Sequence, residues 1–277
     1  MRARTIRISA YHLTKLWRAL HKVPLGAIGR QVVAAHLRSI AGDNGRASAN
    51  RARSTLSAMF AWAIGEGLCE VNPVIGTNTL DEKPRERVLS DMELAAIWKA
   101  CPDADYGRIV KLLMLTAQRR EEIGALRWSE IDFDAKLITL PSTRTKNGRP
   151  HEIPLSDSAV AVLEGCIRHR DLVFGARGKN GLAGWHDGKT ALDNACGVKD
   201  WTLHDLRRTA ATRMADIGVQ PHIIEAVLNH VSGHKAGVAG TYNRSVYANE
   251  KRAALDAWAN HLRVIISGAT NVQRLRA

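Results

Sequence analysis

Cysteines and long apolar runs are scarce in this chain of 277 residues, and each shortage excludes a class of protein. The four cysteines are scattered and form no CxxC pair, so the sequence indicates neither a zinc ribbon nor a disulfide framework. No apolar run approaches the roughly 20 residues that span a bilayer, and the first residues lack the apolar core of a signal peptide. We therefore expect a globular, cytoplasmic protein without membrane contact.

The sequence also lacks the patterns that hold a metal ion or a nucleotide. It contains no HExxH motif, no P-loop and no carboxylate cluster, and the close pair His230 and His234 has no suitable Cys or carboxylate neighbour. We therefore predict that the protein uses neither a metal nor another cofactor.

Acidic residues are too few to balance the basic ones. The chain has 40 Lys and Arg against 27 Asp and Glu, which gives a formal charge of +13 and an isoelectric point near 10.0. Basic side chains gain free energy by displacing counterions condensed on phosphates, so nucleic acid is the favoured partner. An anionic membrane surface is the competing interpretation, but it requires a basic amphipathic helix or a lipid anchor, and we find neither.

Length and patterning favour two domains, because single cores rarely grow past about 250 residues. Residues 1–78 form a predicted helical domain, in which apolar residues recur at helical spacing over 28–40 and 49–65. Residues 79–88 are a polar predicted linker. The second domain, residues 89–277, opens with Ser90 and Glu93, which have the form of a helix capping box.

The second domain is predicted to be mainly α with a small antiparallel β-sheet, an α+β fold. The Asn147-Gly148 step is a strong hairpin signal between two short strand patterns. The predicted strands are 131–133, 137–140 and 151–155, and the predicted helices are 106–117, 121–128, 156–169, 187–196, 203–217, 221–228 and 249–266.

Arg46, Arg51 and Arg53 place positive charge at the start of the predicted helix 49–65 and on its other faces. Positive charge near a helix N-terminus opposes the macrodipole, so these arginines do not serve to stabilise the helix. They form either a solvated face or a phosphate contact, and at this net charge we favour the phosphate contact.

Four short segments of the second domain carry residue types that suit a phosphate ligand. Residues 116–123 place two arginines and two acids between apolar helices, and residues 202–209 place His204 and Arg207 on one helix face. His230 follows at a helix end, and Tyr242 comes last. Each segment alone also fits a bland interpretation, such as a surface ion pair or a satisfied histidine.

Taken in this order, the segments resemble the signature of the tyrosine recombinase family, of the phage or genomic-island integrase kind. The resemblance covers residues 88–258, and residues 1–78 look like the helical core-binding domain of that family. It implies a catalytic domain with a C-terminal helical tail at 89–277. The matching site positions are Arg119, Glu122, Lys146, His204, Arg207, His230 and Tyr242.

Two positions depart from the family pattern, and one assignment has an alternative. Ala117 and Asn229 stand where the family usually has glycine. Both are small or tolerant of turns, and Asn adopts left-handed conformations several-fold more readily than most residues, so the backbone is expected to bend as required. Tyr242 is favoured over Tyr247 as the nucleophile by its spacing from His230 and by the arginine two residues after it.

The resemblance implies a site-specific DNA recombinase that cleaves and rejoins strands through a 3′-phosphotyrosine. Arg119 and Arg207 suit the binding of nonbridging phosphate oxygens, because guanidinium groups bind them bidentately. His204 is the expected base for the Tyr242 proton, and His230 adds a hydrogen bond. Lys146, on a hairpin expected to be mobile, is the expected acid for the leaving 5′-hydroxyl.

The implied partner is double-stranded DNA, which would make the protein nucleoid-associated within the cytoplasm. The resemblance also implies a homotetramer that assembles on DNA through the C-terminal segment, although the apolar stripe of 249–266 equally fits packing on its own domain. Accessory DNA-bending proteins are further expected partners. The residues assigned to DNA contact are Arg46, Arg51, Arg53, Arg144 and Arg208.

Two other functions stay open at this point. A type IB topoisomerase uses a similar set of residues, and a DNA-binding regulator could keep the fold without catalysis. The context of residues 116–123 favours the recombinase over the topoisomerase, and the full set of candidate catalytic residues argues against a silent regulator. Nothing before Ala10 has room for a further N-terminal DNA-binding domain, so we expect a truncated or shortened chain.

Overall fold

The computed structural model of this protein describes residues 3–175, 181–230 and 246–268. The chain divides into two compact units, Met1–Arg85 and Glu86–Ala277. The division falls inside residues 79–88, and the roles assigned to the two domains stay predictions. Within the described ranges, no helix combines the length and the apolar character that a membrane span requires.

The first unit is helical and is built around a small aliphatic and aromatic core. Its main helices are α1 (Ala3–Tyr11), α2 (Arg30–Asn44) and α3 (Arg46–Gly65), with short π and 3₁₀ turns between α1 and α2. Trp17 lies at the centre and donates its indole N–H to the carbonyl of Ala52 at 3.0 Å. The main buried residues are Trp17, Val33, Leu37, Leu56 and Phe60.

In the described part of the second unit, a three-stranded sheet lies among helices. Its strands are β1 (Ile131–Asp132), β2 (Leu137–Leu140) and β3 (His151–Pro154), and all neighbours are antiparallel in the order β1-β2-β3. Leu140 pairs with His151, so the loop 141–150 joins β2 to β3 as the sequence predicted. The helices are α4 (Asp91–Ala100), α5 (Asp105–Thr116), α6 (Arg120–Gly124), α7 (Asp157–Glu164), α8 (Trp185–Cys196), α9 (Leu203–Asp216), α10 (Pro221–Val227) and α11 (Ala248–Ser267). The capping box of Ser90 and Glu93 at the start of α4 is confirmed.

Two predicted helices end earlier than the sequence pattern indicated. Helix α6 stops at Gly124, because the Gly124 carbonyl accepts from the backbone of Leu182 at 3.0 Å instead of continuing the helical ladder. Helix α7 stops at Glu164, where Gly165 follows and offers little helix propensity. The prediction of helix over 121–128 and over 156–169 was therefore wrong in its second half.

Helix α11 is part of the core of its own unit. Leu255, Trp258 and Leu262 are buried, and the Trp258 indole N–H donates to the carbonyl of Met114 in α5 at 2.7 Å. The same helix is tied to β3, because the Lys251 ammonium donates to the carbonyl of Glu152 at 2.8 Å. Packing on its own domain is therefore what the structure shows for this stripe, and a subunit contact through the C-terminal segment stays a prediction.

Candidate active site

The junction of α5 and α6 positions the first candidate arginine. Helix α5 ends at Thr116, the next residue Ala117 has a left-handed φ of 55°, and the chain then turns to begin α6 at Arg120. Arg119 lies at this turn and is held by Glu122, which is 2% exposed. The Glu122 carboxylate accepts from the Arg119 backbone N–H at 3.2 Å and from its guanidinium at 3.0 Å. Glu122 therefore fixes both the backbone and the side chain of Arg119.

The second arginine, Arg207, is buried in the middle of the unit. It is 4% exposed and projects from α9 towards two carbonyl groups. Its guanidinium donates to the carbonyl of Ala117 at 2.8 Å and to the carbonyl of Leu228. Burial, followed by the nearby charge of Arg119, lowers the pKa of Arg207 to about 10, and Glu122 opposes this shift. Arg207 is therefore still cationic at neutral pH.

The chain after α10 supplies the carbonyl groups that face both arginines. Asn229 has a φ of 47°, in the left-handed region, and its carbonyl accepts from the Arg119 guanidinium at 3.4 Å. The expected backbone bend at Ala117 and Asn229, the two positions that depart from glycine, is therefore confirmed. Backbone carbonyls on either side of these bends orient Arg119 and Arg207 without neutralising them.

Two histidines border this arginine pair. His204 is the second residue of α9 and lies one helical turn before Arg207, and His230 directly follows Asn229. Partial burial and the charges of Arg207 and Arg208 lower the pKa of His204. Partial burial and the charges of Arg207 and Arg119 lower the pKa of His230. Both imidazoles therefore favour the neutral form, and the charges of Arg119 and Arg207 act on both of them, so we refer to these four side chains as the arginine cluster.

This cluster has more positive than negative charge. Arg119 and Arg207 are close enough for one to depress the pKa of the other, and the buried carboxylate of Glu122 compensates one positive charge. Two guanidiniums held together by fixed acceptors favour an anion in front of them, because an anion relieves their mutual repulsion. A phosphate group matches the planar donors of both arginines.

Lys146 lies in the loop 141–150, and its charge acts on His230. The side chain is exposed, but the backbone on both sides of it is anchored. On one side, the Thr145 hydroxyl donates to the carbonyl of Arg149 at 2.7 Å. On the other side, the Asn147 amide donates to the Asn229 carbonyl at 2.9 Å. The structure therefore shows contacts on both sides of Lys146, and the mobility of the hairpin stays a prediction.

Three of the arginines assigned to DNA contact are engaged within their own unit. The Arg144 guanidinium binds Glu130 bidentately, at 2.7 and 3.0 Å, and also donates to the carbonyl of Glu122. Arg208 pairs with the buried carboxylate of Asp205. Arg53 donates to the Thr77 hydroxyl at 2.8 Å and to the Val74 and Thr77 carbonyls. These contacts give each of the three arginines a structural role within its own unit, so we expect them to contribute less to DNA contact than the exposed arginines do.

Arg46 and Arg51 remain as exposed side chains on α3. The sequence did not separate them from Arg53, because nothing in local spacing shows that α3 packs next to the Val74 and Thr77 carbonyls. What distinguishes Arg53 from Arg46 and Arg51 is its contact with residues 74 and 77, which only the folded structure brings next to α3. Arg46 and Arg51 keep their prediction as DNA contacts.

Sequence reasoning missed a buried polar network beneath the arginine pair. The His151 imidazole lies 3.2 Å from the Gln118 carboxamide oxygen and 3.1 Å from the carbonyl of Val227. The Gln118 amide donates to the same Val227 carbonyl at 2.9 Å. This network joins β3, the α5–α6 junction and α10. The available signal was strand alternation, since His151 and Ile153 are the inward positions of β3.

The two tyrosine candidates differ in what the structure describes. Tyr242, the predicted nucleophile, lies outside the described residues, as does His234. Tyr247 precedes α11, and its ring packs edge-on against His222 with centroids 5.3 Å apart. Among the residues that the structure describes, no group of three or more His, Cys, Asp or Glu side chains is arranged to hold a metal ion.

Comparison with known proteins assigns both units to one family. The model of the phage integrase family matches residues 84–248, and the model of the phage integrase central domain matches residues 2–78. Prophage integrase IntA of Escherichia coli (strain K12) is 29% identical over 235 residues, which cover 80% of this chain and 56% of the relative. The integrase of Shigella phage Sf6 is 25% identical over 77% of this chain and 58% of its own length. The chain therefore spans little more than half the length of these curated relatives.

Solved structures share the fold. A lambda integrase dimer bound to a COC′ core site superposes with a TM-score of 0.68 at 24% identity, covering 84% of this chain and 89% of the other. The Tn1549 transposon integrase in complex with circular intermediate DNA gives a TM-score of 0.64 at 15% identity, over 91% of this chain and 93% of the other. With family models matched across both units and an integrase fold in the structure, this chain belongs to the phage integrase family.

Proposed function

We propose that this chain is a site-specific DNA recombinase that integrates or excises mobile DNA through a 3′-phosphotyrosine formed by Tyr242. The observation that carries the proposal is the arginine pair. Glu122 and the carbonyl of Asn229 hold the Arg119 guanidinium, and the carbonyls of Ala117 and Leu228 hold that of Arg207.

This arrangement suits the transition state of phosphoryl transfer. Attack on a phosphodiester increases the negative charge on the nonbridging oxygens, so donors that are already oriented stabilise the transition state without reorganising. Loss of one such donor typically lowers a rate by about 10²- to 10³-fold. Arg119 and Arg207 would bind the two nonbridging oxygens, and the neutral His230 would add a hydrogen bond.

The proposed reaction balances protons between three side chains. The Tyr242 oxygen forms a bond to phosphorus, and the bond from phosphorus to the 5′-oxygen breaks. His204 accepts the phenol proton, which its lowered pKa permits because the ring is neutral at neutral pH. Lys146 donates a proton to the leaving 5′-oxygen. The phosphotyrosine conserves the energy of the broken bond, and the reverse steps rejoin the strand.

The partners belong to the same proposal. The charge of +13 supports binding of double-stranded DNA, with residues 1–78 as the core-binding domain and residues 89–277 as the catalytic domain. Solved relatives include a lambda integrase dimer on a core site and a lambda integrase tetramer on a Holliday junction. We propose a homotetramer on DNA, with the C-terminal segment at the subunit contact, accessory DNA-bending proteins as helpers, and a place at the nucleoid.

Covalent capture tests the proposal. The probe is a pool of nicked suicide duplexes with a randomised core, from which adducts resistant to denaturation are isolated and sequenced. The wild-type chain should form adducts on a subset of sequences, and Tyr242→Phe should form none. Adducts that persist in Tyr242→Phe, or a wild-type chain that forms none, would overturn the proposal. Strand exchange between two captured sites, rather than relaxation of supercoils alone, would exclude a topoisomerase.

Arg207→Ala provides the matching prediction for the arginine pair. It should lower the cleavage rate on a captured site by at least about 10²-fold with little loss of DNA binding, because affinity is spread over many phosphate contacts. Arg120→Ala is the matched control. Arg120 directly follows Arg119 but pairs with Glu121 and lies over the ring of Trp185, outside the cluster. Cleavage and binding that fall together in Arg207→Ala would refute its catalytic assignment.

A further inference from the structure

Two asparagines join the loop that carries Lys146 to the loop that carries His230. The Asn147 amide nitrogen lies 2.9 Å from both the carbonyl and the side-chain oxygen of Asn229. In return, the Asn229 amide donates to the Asn147 side-chain oxygen at 3.4 Å. We refer to this reciprocal contact as the asparagine latch. It connects residues 82 positions apart in the chain.

The latch lies next to the groups that surround the arginine pair. The Asn229 carbonyl that accepts from Asn147 also accepts from the Arg119 guanidinium. Lys146 and Asn147 are adjacent, as are Asn229 and His230. The Asn229 carbonyl oxygen therefore accepts hydrogen bonds from both the hairpin and Arg119. Lys146 directly precedes the hairpin residue that makes this contact.

Other contacts hold the loop 141–150 to itself and to its base. Arg144 is anchored to Glu130, and the buried Thr145 closes the loop by donating to the Arg149 carbonyl. The Asn147 side-chain oxygen also accepts from the Arg149 N–H at 3.1 Å, which shapes the turn. These contacts hold the loop to itself and to its base, and the latch is the contact that holds its tip to the arginine cluster.

We propose that Asn147 and Asn229 are positioning residues that hold Lys146 in place to protonate the leaving 5′-oxygen. This inference rests on the proposed function. It predicts that both residues act through Lys146. Their substitution should therefore lower the cleavage rate on substrates whose leaving group must be protonated, and should not lower it on substrates whose leaving group departs without a proton.

The leaving group provides the discriminating probe. A duplex with sulfur in place of the bridging 5′-oxygen releases a thiolate, and a thiol has a pKa of about 8.5, so this departure needs no acid. On the oxygen substrate, Asn147→Ser removes the whole latch and should lower the single-turnover cleavage rate about 10- to 100-fold. Asn229→Gly keeps the hydrogen bond from Asn147 to the carbonyl of residue 229 and should cause a smaller loss, at least about 3-fold. On the sulfur substrate both variants should lose less than about 3-fold in rate, and Lys146→Ala should behave in the same way on that substrate.

The variants are chosen to keep the local backbone. Serine is too short to reach Asn229 but can still accept from the Arg149 N–H, and glycine adopts the left-handed conformation of position 229 freely. Thr143→Ala is the matched control, because Thr143 is an exposed residue of the same loop. It should cleave both substrates at the wild-type rate.

A double-variant cycle separates positioning from a general structural role. Adding Asn147→Ser to Lys146→Ala should cause no further loss on the oxygen substrate. The proposal would be refuted by any one of three results. These are an equal rate loss on the oxygen and sulfur substrates, a further rate loss when Asn147→Ser is added to Lys146→Ala, or an unchanged cleavage rate in both Asn147→Ser and Asn229→Gly. These outcomes are distinct from failure of the proposed function, in which the wild-type chain forms no Tyr242-dependent adduct on either substrate.

Discussion

Mild acid should destabilise the second unit in part through the buried His151. His151 is 5% exposed and lies against the Val227 carbonyl and the Gln118 side chain. Burial, followed by the charge of Lys251, lowers its pKa to about 3. Arg207 and Arg119 add to the lowering, and the hydrogen bond with Val227 opposes it. The ring is therefore neutral in the folded protein across the whole physiological range.

The direction of the effect follows from the two pKa values. An unfolded histidine has a pKa of about 6.5, so as the pH falls below that value the unfolded chain takes up a proton that the folded chain does not. The stabilisation is complete above pH 6.5 and is lost progressively down to about pH 3. Well below pH 6.5 each pH unit costs about 1.4 kcal/mol, and the fall from pH 7 to 5 removes about 2 kcal/mol.

Denaturant unfolding at pH 7 and at pH 5 measures this loss. His151→Gln keeps an amide donor near Val227 but does not titrate, so its free energy of unfolding should fall about 2 kcal/mol less than that of the wild-type protein over the same interval. His169→Gln, which removes an exposed histidine of the same unit, is the control and should behave as wild type. An equal fall in wild type and His151→Gln would refute the reasoning.

Two further predictions concern charges whose roles the fold distinguishes. Arg51→Ala should flatten the dependence of DNA binding on salt by about one phosphate contact. Arg53→Ala should leave that slope unchanged. It should instead lower the free energy of unfolding of the first unit by about 1–3 kcal/mol, since it removes charged hydrogen bonds to Val74 and Thr77. Salt titrations and denaturant unfolding check both variants, and the reverse pattern would contradict the assignment. Glu122→Gln should lower the free energy of unfolding by about 1–3 kcal/mol, because it replaces the buried carboxylate that accepts from Arg119 with a neutral amide. A loss below about 0.5 kcal/mol in denaturant unfolding would show that the ion pair does not stabilise the fold.

The sequence predicted those features of the site that depend on local spacing. His204 and Arg207 lie on one face of α9 because three residues separate them, and the Asn147-Gly148 step lies in the loop between β2 and β3. The left-handed backbone at Asn229 followed from the residue type. Periodicity and spacing thus carry enough information to place a helix face or a turn.

The features that the sequence did not predict are those decided by tertiary neighbours. Arg144 was assigned to DNA, but it binds Glu130, which is 14 residues away and becomes adjacent through the sheet. His151 has no motif around it, and its importance comes from burial against α10. The extent of α6 depends on a hydrogen bond from Leu182, which no pattern near Gly124 signals. The number of basic residues predicts that the partner is negatively charged, but it does not show which arginines contact that partner.

The two positions that depart from glycine show how the site tolerates backbone strain. A left-handed alanine costs about 1–2 kcal/mol, and at Ala117 the fully buried methyl group offsets about 0.8 kcal/mol of that cost. The strain persists because the Ala117 N–H closes α5 while its carbonyl binds Arg207, so neighbours on both sides determine the conformation. At position 229 the asparagine tolerates the same conformation more easily and also supplies the amide that contacts Asn147. Glycine at 229 would preserve the carbonyl that accepts from Arg119 and from the Asn147 amide and would lose only the side-chain contacts with Asn147, which is why Asn229→Gly tests the Asn229 side chain and leaves the arginine site intact.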